Sequence, residues 1–204
     1  MPVVLAISLL LLLVSSTSDL RAADGKSLDE PACRQAFEAL GRPSVLRAEF
    51  SQEKTLPEVA RTLRASGELV VSREHGVILR TLAPEFAKGT KVLPSHGRPA
   101  GSNPVEIRIN GMIKAVLAGE FDPLLTYFTA QGRRQDGRTI VTLTPKVAEI
   151  RGALTSIEIH FGERLEQVLV QEAGGGSLRL TFKGYRTTPP LTEAEALGLT
   201  ANGR

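Results

Sequence analysis

Three histidines, one cysteine, a triple glycine and an arginine set among apolar strand positions are the residues of this sequence that could do chemistry. Nucleophilic catalysis of the serine type needs a positioned base, and only His75, His96 and His160 could serve. His75 falls in the turn Glu74-His75-Gly76, and His96 lies in a Gly-, Pro- and Ser-rich stretch. His160 shares the polar face of its strand with Ser156 and Glu158. These surroundings fit solvated or structural histidines better than a catalytic base. The chain carries no G-x-S-x-G elbow, no P-loop and no H-E-x-x-H pair. No spaced set of His, Cys and carboxylates suggests a metal, and no cofactor is expected. Cys33 occupies an apolar helical position, which suits a small core or lid residue rather than a nucleophile. Gly174-Gly175-Gly176 lies between two strand patterns, so a hairpin is the better reading than a phosphate cradle. The chain is expected to bind rather than catalyse.

Composition narrows what it binds. The 204 residues include 25 basic and 22 acidic side chains, 42% hydrophobic residues, seven Phe, two Tyr, no Trp and one Cys. That is enough for one domain with its own core. It excludes a disordered tail, a disulfide scaffold and a polytopic membrane protein. The charge of +3 is scattered and few aromatics accompany it, so nucleic acid is not an expected partner. Val3 to Val14 is an apolar run of 12 residues. It is too short for a membrane span, which needs about 20, and right for a signal-peptide core of roughly 7 to 15. No Lys or Arg precedes the run, and cleavage after Ser18 or Ala22 fits.

The elements follow from periodicity. Asp29 reads as an N-cap and Pro31 as a first-turn residue, with Cys33, Ala36, Phe37 and Leu40 on one helical face before Gly41 and Pro43. The period then becomes two. Leu46, Ala48 and Phe50 alternate with polar residues, as do Leu69 and Val71, and Val77 to Leu82 makes a further strand. Residues 87–104 read as a long loop with a short strand near Val92. Val105, Ile107 and Ile109 alternate like a strand, and MIKAVLAG and Asp122-Pro123-Leu124-Leu125 suggest two short helices, the second capped by Asp122. A hairpin with Asp136-Gly137 at its tip suits a type I′ turn, and strands follow at Thr139 to Thr144, Ile157 to Phe161, Leu165 to Val170 and Leu178 to Phe182. The pattern predicts a mainly β (α+β) chain: a strongly curved antiparallel sheet with helices on one side.

Several short motifs now align with one family. Phe50-Ser51-Gln52, the stretch Ser66 to Arg73, the Val77 to Leu82 strand with Pro84, then Leu143-Thr144-Pro145-Lys146 and Thr188-Pro189-Pro190 occur in an order that resembles the periplasmic lipoprotein carriers of the LolA type, in a divergent branch. The resemblance covers most of residues 28–190, preceded by the signal segment 1–22 and followed by a tail, 191–204. It implies an incomplete antiparallel half-barrel with a helical lid over an apolar cavity. It also implies a monomer in the periplasm that carries a lipoprotein or lipid cargo from an inner-membrane exporter to an outer-membrane acceptor. By the same resemblance Arg73 is a latch that holds the lid closed, against the plainer reading of a strand-end arginine reaching solvent. Phe50, Leu69, Val71, Val77 and Leu79 are the expected cavity lining, and Phe37 and Leu40 the lid contacts. Ordinary core packing would give those positions the same periodicity. The family's early tryptophan is absent here, with Val70 and Leu79 at its equivalents, so an aliphatic cavity is expected. A lipid sensor or envelope-stress scaffold on the same fold is the rival reading, and a small hydrolase is disfavoured for want of a base.

Overall fold

The structure, a computed structural model, describes residues 26–40, 43–94 and 104–201. The expected signal segment 1–22 and His96 lie outside them. A short strand β1 (Lys26–Leu28) leads into helix α1 (Glu30–Glu38), and β2 (Val45–Leu56), β3 (Arg61–Ser72), β4 (Gly76–Ala83) and β5 (Gly89–Pro94) follow as a meander. Helices α2 (Pro104–Ala118) and α3 (Asp122–Leu125) connect this half to β6 (Phe128–Gln135) and β7 (Arg138–Pro145). The one-turn α4 (Ala148–Arg151), then β8 (Leu154–Phe161), β9 (Leu165–Glu172), β10 (Ser177–Arg186) and α5 (Glu193–Ala201) complete the order. The ten strands form one antiparallel sheet, β1-β6-β7-β8-β9-β10-β2-β3-β4-β5. No pairing joins the edge strands β1 and β5 among the described residues, so the expected half-barrel is open.

Local chemistry sets much of this. Asp29 caps α1 by accepting from the Ala32 N–H at 3.0 Å, and Cys33, Ala36 and Phe37 form its buried face. At the β6–β7 tip Asp136 and Gly137 both have positive φ, 51° and 75°, as a type I′ turn requires. Curvature comes from bulges, which add a residue to one strand and bend it. One places Leu82 of β4 opposite the Ser66/Gly67 step of β3; others interrupt β8–β9 and the β10–β2 pair. Gly67 is obligatory there, since a Cβ would stand 1.8 Å from the carbonyl oxygen of Arg80. The glycine of the Ser66-Gly67 motif thus lets two backbones approach at a bend.

Three elements differ from expectation. Residues 105–109 are not a strand: they belong to α2, which runs unbroken from Pro104 and ends in a Schellman motif, with the Glu120 N–H on Ala115 O (2.8 Å) and the Gly119 N–H on Val116 O (3.2 Å). Met112, Ala115 and Val116 are buried at helical spacing, and covering the sheet overrides the β-branched preference of the preceding residues. Within 87–104 the short strand expected near Val92 is β5, and 95–103 lie outside the described residues. Asp122 is the first residue of α3 rather than its cap, and it pairs with Arg34 of α1, whose guanidinium also lies over the Phe121 ring. The stretch read as a tail holds α5, in which Leu199 is fully buried.

The helices divide between the two faces of the sheet. α1, α2 and α3 contribute to the main core on the concave side, where Phe37 packs against Phe121 and Phe161 at centroid distances of 5.0 Å. On the convex side Leu199 joins Val70 and Ile78 in a second, small core. A buried ion pair fixes α5 there. Arg47 of β2 donates to both carboxylate oxygens of Glu195 (3.1 and 2.7 Å) and to the carbonyls of Pro189 and Pro190 (3.0 Å each), while Arg80 donates to Glu195 at 2.8 Å. Glu195 also completes a capping box with Thr192: the Thr192 N–H donates to its carboxylate at 3.0 Å, and its own N–H donates to the Thr192 hydroxyl at 3.2 Å.

Hydrogen bonding from Arg47, with help from the Thr192 N–H and Arg80 against the cost of burial, holds the Glu195 carboxyl at about 2 instead of 4.5. A carboxyl with a depressed folded pKa stabilises the fold above its unfolded value, and that stability disappears as pH falls through the folded one. Between about pH 4.5 and pH 2 the protein should therefore lose about 3 kcal/mol through this group. Urea midpoints at about pH 5 and about pH 2.5 measure it, and Glu195→Gln, which cannot titrate, should flatten the difference. An equal pH dependence in the variant would assign acid sensitivity to other carboxylates.

Candidate lipid-binding site

Two cavities open on the concave side, and α2 stands between them. The larger, ≈430 Å³, lies between α2 and strands β8, β9 and β10. Met112, Val116 and Leu117 cover it from above, and Ile157, Val168 and Leu180 are among the residues of its floor. No aromatic side chain contributes to the described wall, as the aromatic-poor composition suggests. Its one charged residue is Glu172, which stands with Gly174 at the end of β9 and is paired with Lys54 at 3.0 Å. The smaller cavity, ≈210 Å³, lies by the C-terminal end of α2, against Leu46 of β2 and Leu165 at the start of β9. Val116 and Leu117 line it too, together with Leu40, Val71, Arg73 and Arg164.

The expected lining residues are placed differently from the expectation. Phe50, Leu69 and Val77 are 4%, 1% and 0% exposed and belong to the main core, with Leu79 packed against it. Val71 reaches the smaller cavity, and none of the five is among the described residues of the larger one. These side chains fill the space between β2–β4 and the helices. The free volume is displaced toward β8–β10, where valines, leucines and isoleucines line it opposite α2. Strand parity correctly separates the concave from the convex face, but it cannot say which part of that face is filled. Phe37 is buried at the α1–α3–β8 junction, and Leu40 lies at the rim of the smaller cavity.

Arg73 follows β3 rather than belonging to it. Its N–H donates to Ser44 O at 3.1 Å, and its exposed side chain borders the smaller cavity opposite the last residues of α2, Val116 to Ala118. A second arginine, which sequence reading missed, does the work of tying a helix end to the sheet. Arg164, in the β8–β9 turn, donates to the carbonyl of Leu40 just beyond α1, at 3.2 Å. Nothing in Phe161-Gly162-Glu163-Arg164 signals that contact, because its partner is 124 residues away. Nearby, the Tyr185 hydroxyl donates to Leu165 O, and burial pushes its pKa up.

Solved structures that resemble this fold include the following three. A DUF1329 family protein from Desulfovibrio piger aligns over 79% of this chain and 92% of its own, with TM-score 0.45 and 10% identity. A LolA superfamily protein from Nitrosomonas europaea aligns over 76% and 91%, with TM-score 0.43 and 10% identity. A domain of an outer membrane lipoprotein-sorting protein from Vibrio parahaemolyticus aligns over 83% and 96%, with TM-score 0.40 and 9% identity. No protein-family model and no curated protein sequence matches the chain.

The other reactive groups are elsewhere. The Cys33 thiol is fully buried and its pKa is raised, chiefly by burial and further by Asp29 and Glu30, so it is a poor thiolate. His75 shares a 3.3 Å contact with the Ser72 hydroxyl, and His160 lies 3.2 Å from Glu158 on the strand. No group of three metal-ligating side chains occurs among the described residues, and none of the described helices is long and apolar enough to cross a membrane.

Proposed function

We propose that this chain is a periplasmic carrier that shelters the acyl chains of a lipoprotein, or of a related lipid, on its way from the inner toward the outer membrane. The observation that carries this reading is the aliphatic cavity of ≈430 Å³ beneath α2. Its size is within the roughly 300 to 1,000 Å³ of ligand sites. Each methylene withdrawn from water contributes about 0.8 kcal/mol, so ten such groups contribute about 8 kcal/mol, enough to hold a chain that water rejects. The LolA-like motifs add a direction of transport, an inner-membrane exporter as donor and an outer-membrane acceptor. Release requires an open state only a few kcal/mol above the closed one.

The chain exported to the periplasm and purified without detergent should yield stoichiometric lipid or lipoprotein by mass spectrometry. An empty cavity in a protein that copurifies with one tight protein partner would favour the sensor or scaffold reading. Arg73 supplies a second test, since its place beside the α2 C-terminus suits a cation acting on helix-end carbonyls. Arg73→Leu should load cargo normally and pass it on to an acceptor membrane several-fold more slowly; normal transfer would remove the latch role and leave the carrier reading standing.

A further inference from the structure

The larger cavity is apolar except at one end, and that end is an ion pair. Lys54 of β2 lies opposite Leu178 of β10 in the strand register, and Leu178 is part of the cavity wall. Its ammonium group is 3.0 Å from Glu172 Oε1, and both side chains keep about a third of their surface in water, 36% and 32%. The pair is therefore a wetted mouth. Toward the smaller cavity the wall is formed by Val116 and Leu117, which line both cavities and offer a polar group nothing to bond. An amphiphile must enter tail first and leave its head beside Lys54 and Glu172, because burying the head without partners costs too much.

What that mouth accepts follows from its charges already being matched. An anionic head attracted to Lys54 must displace or crowd the Glu172 carboxylate, and a cationic head meets Lys54 in the same way. An uncharged head with both a donor and an acceptor disturbs neither: its oxygen accepts from the ammonium while its N–H or O–H donates to the carboxylate. We infer that the cavity selects acyl chains with uncharged hydroxyl or amide heads, with Glu172 rejecting anionic amphiphiles and Lys54 rejecting cationic ones. This rests on the carrier reading and names its substrate class. Cargo is then chosen at the Lys54–Glu172 end of the fold and not at the Arg73 end.

The test uses four ligands sharing one twelve-carbon tail, titrated calorimetrically at neutral pH below their micelle concentrations: monolauroylglycerol, N-lauroylglycinamide, dodecanoate and dodecylamine. The wild-type chain should bind the first two at least tenfold more tightly than the charged pair, and their ratio distinguishes a lipid from an acylated peptide as the better head. Glu172→Gln should bring dodecanoate to within threefold of monolauroylglycerol, and Lys54→Met should do so for dodecylamine. Both positions are at a solvated rim, and because the two variants change opposite preferences, general loss of fold cannot imitate the result. Equal wild-type affinity for dodecanoate and monolauroylglycerol, or variants that leave the preferences unchanged, would overturn the inference and leave the carrier reading intact. Failure of all four ligands to bind would overturn both.

Discussion

Arg47→Met should lower the unfolding free energy by about 3–5 kcal/mol, the cost of stranding one member of a buried ion pair. The variant leaves Glu195 with 4% of its side chain exposed and only the partly exposed Arg80 as a cation. It also removes the donors that Arg47 gives to the carbonyls of Pro189 and Pro190. Urea unfolding at neutral pH measures the loss. The double variant Arg47→Met, Glu195→Leu should recover a large part of it, because no unpaired carboxylate remains and a hydrophobic pair can replace a buried salt bridge. A single-variant loss below about 1 kcal/mol, the range of exposed pairs, would mean that α5 does not depend on this contact.

The largest effect on binding is expected from filling the cavity. Val168→Phe with Val170→Phe places two rings in the wall beneath α2, where both valines face free volume. Lipid affinity should fall a hundredfold or more, and the copurifying lipid should disappear. Stability should change little, because overpacking is costly, at about 1–3 kcal/mol, only where no space exists. The contrasting variant is Leu69→Ala. Leu69 is 1% exposed in the packed half of the concave face, so its truncation should cost about 2–5 kcal/mol while lipid binding by the folded protein persists. If Leu69→Ala abolishes binding and the double phenylalanine variant retains it, the site lies under β3 and β4, as the motif resemblance implied, and not under β8 to β10.

The carrier reading and the inference about its mouth depend on different parts of the molecule. Acyl shelter needs only the aliphatic wall, which many sequences could build. Discrimination needs Lys54 and Glu172 at 3.0 Å beside Gly174, at the point where the wall ends. Charge variants at the rim and ring variants in the wall should therefore have separable effects: the first reorders ligands, and the second removes binding altogether.

Local and periodic features were legible in the amino-acid order because their causes are local. Asp29 and Pro31 start α1, Asp136-Gly137 turns a hairpin, and alternation assigns Leu69, Val71 and Val77 to one face and Val70 and Ile78 to the other. The antiparallel class follows from hairpin-spaced strands without βαβ alternation, its openness was implied by the motif resemblance alone, and the aliphatic character of the cavity follows from composition. What failed was everything settled by distance. The alternation of Val105, Ile107 and Ile109 lost to the need of the sheet for a helical cover. The fill of the β2–β4 half and the void under β8 to β10 have the same one-dimensional pattern, since side-chain parity records facing and not filling. Arg47 with Glu195, Arg164 with Leu40 and Lys54 with Glu172 join residues more than a hundred positions apart. The order of residues supplied the charges and the greasy surfaces. Only the fold, by wrapping β10 back beside β2 and laying α2 across the strands, decided which charges meet and where a space remains between them.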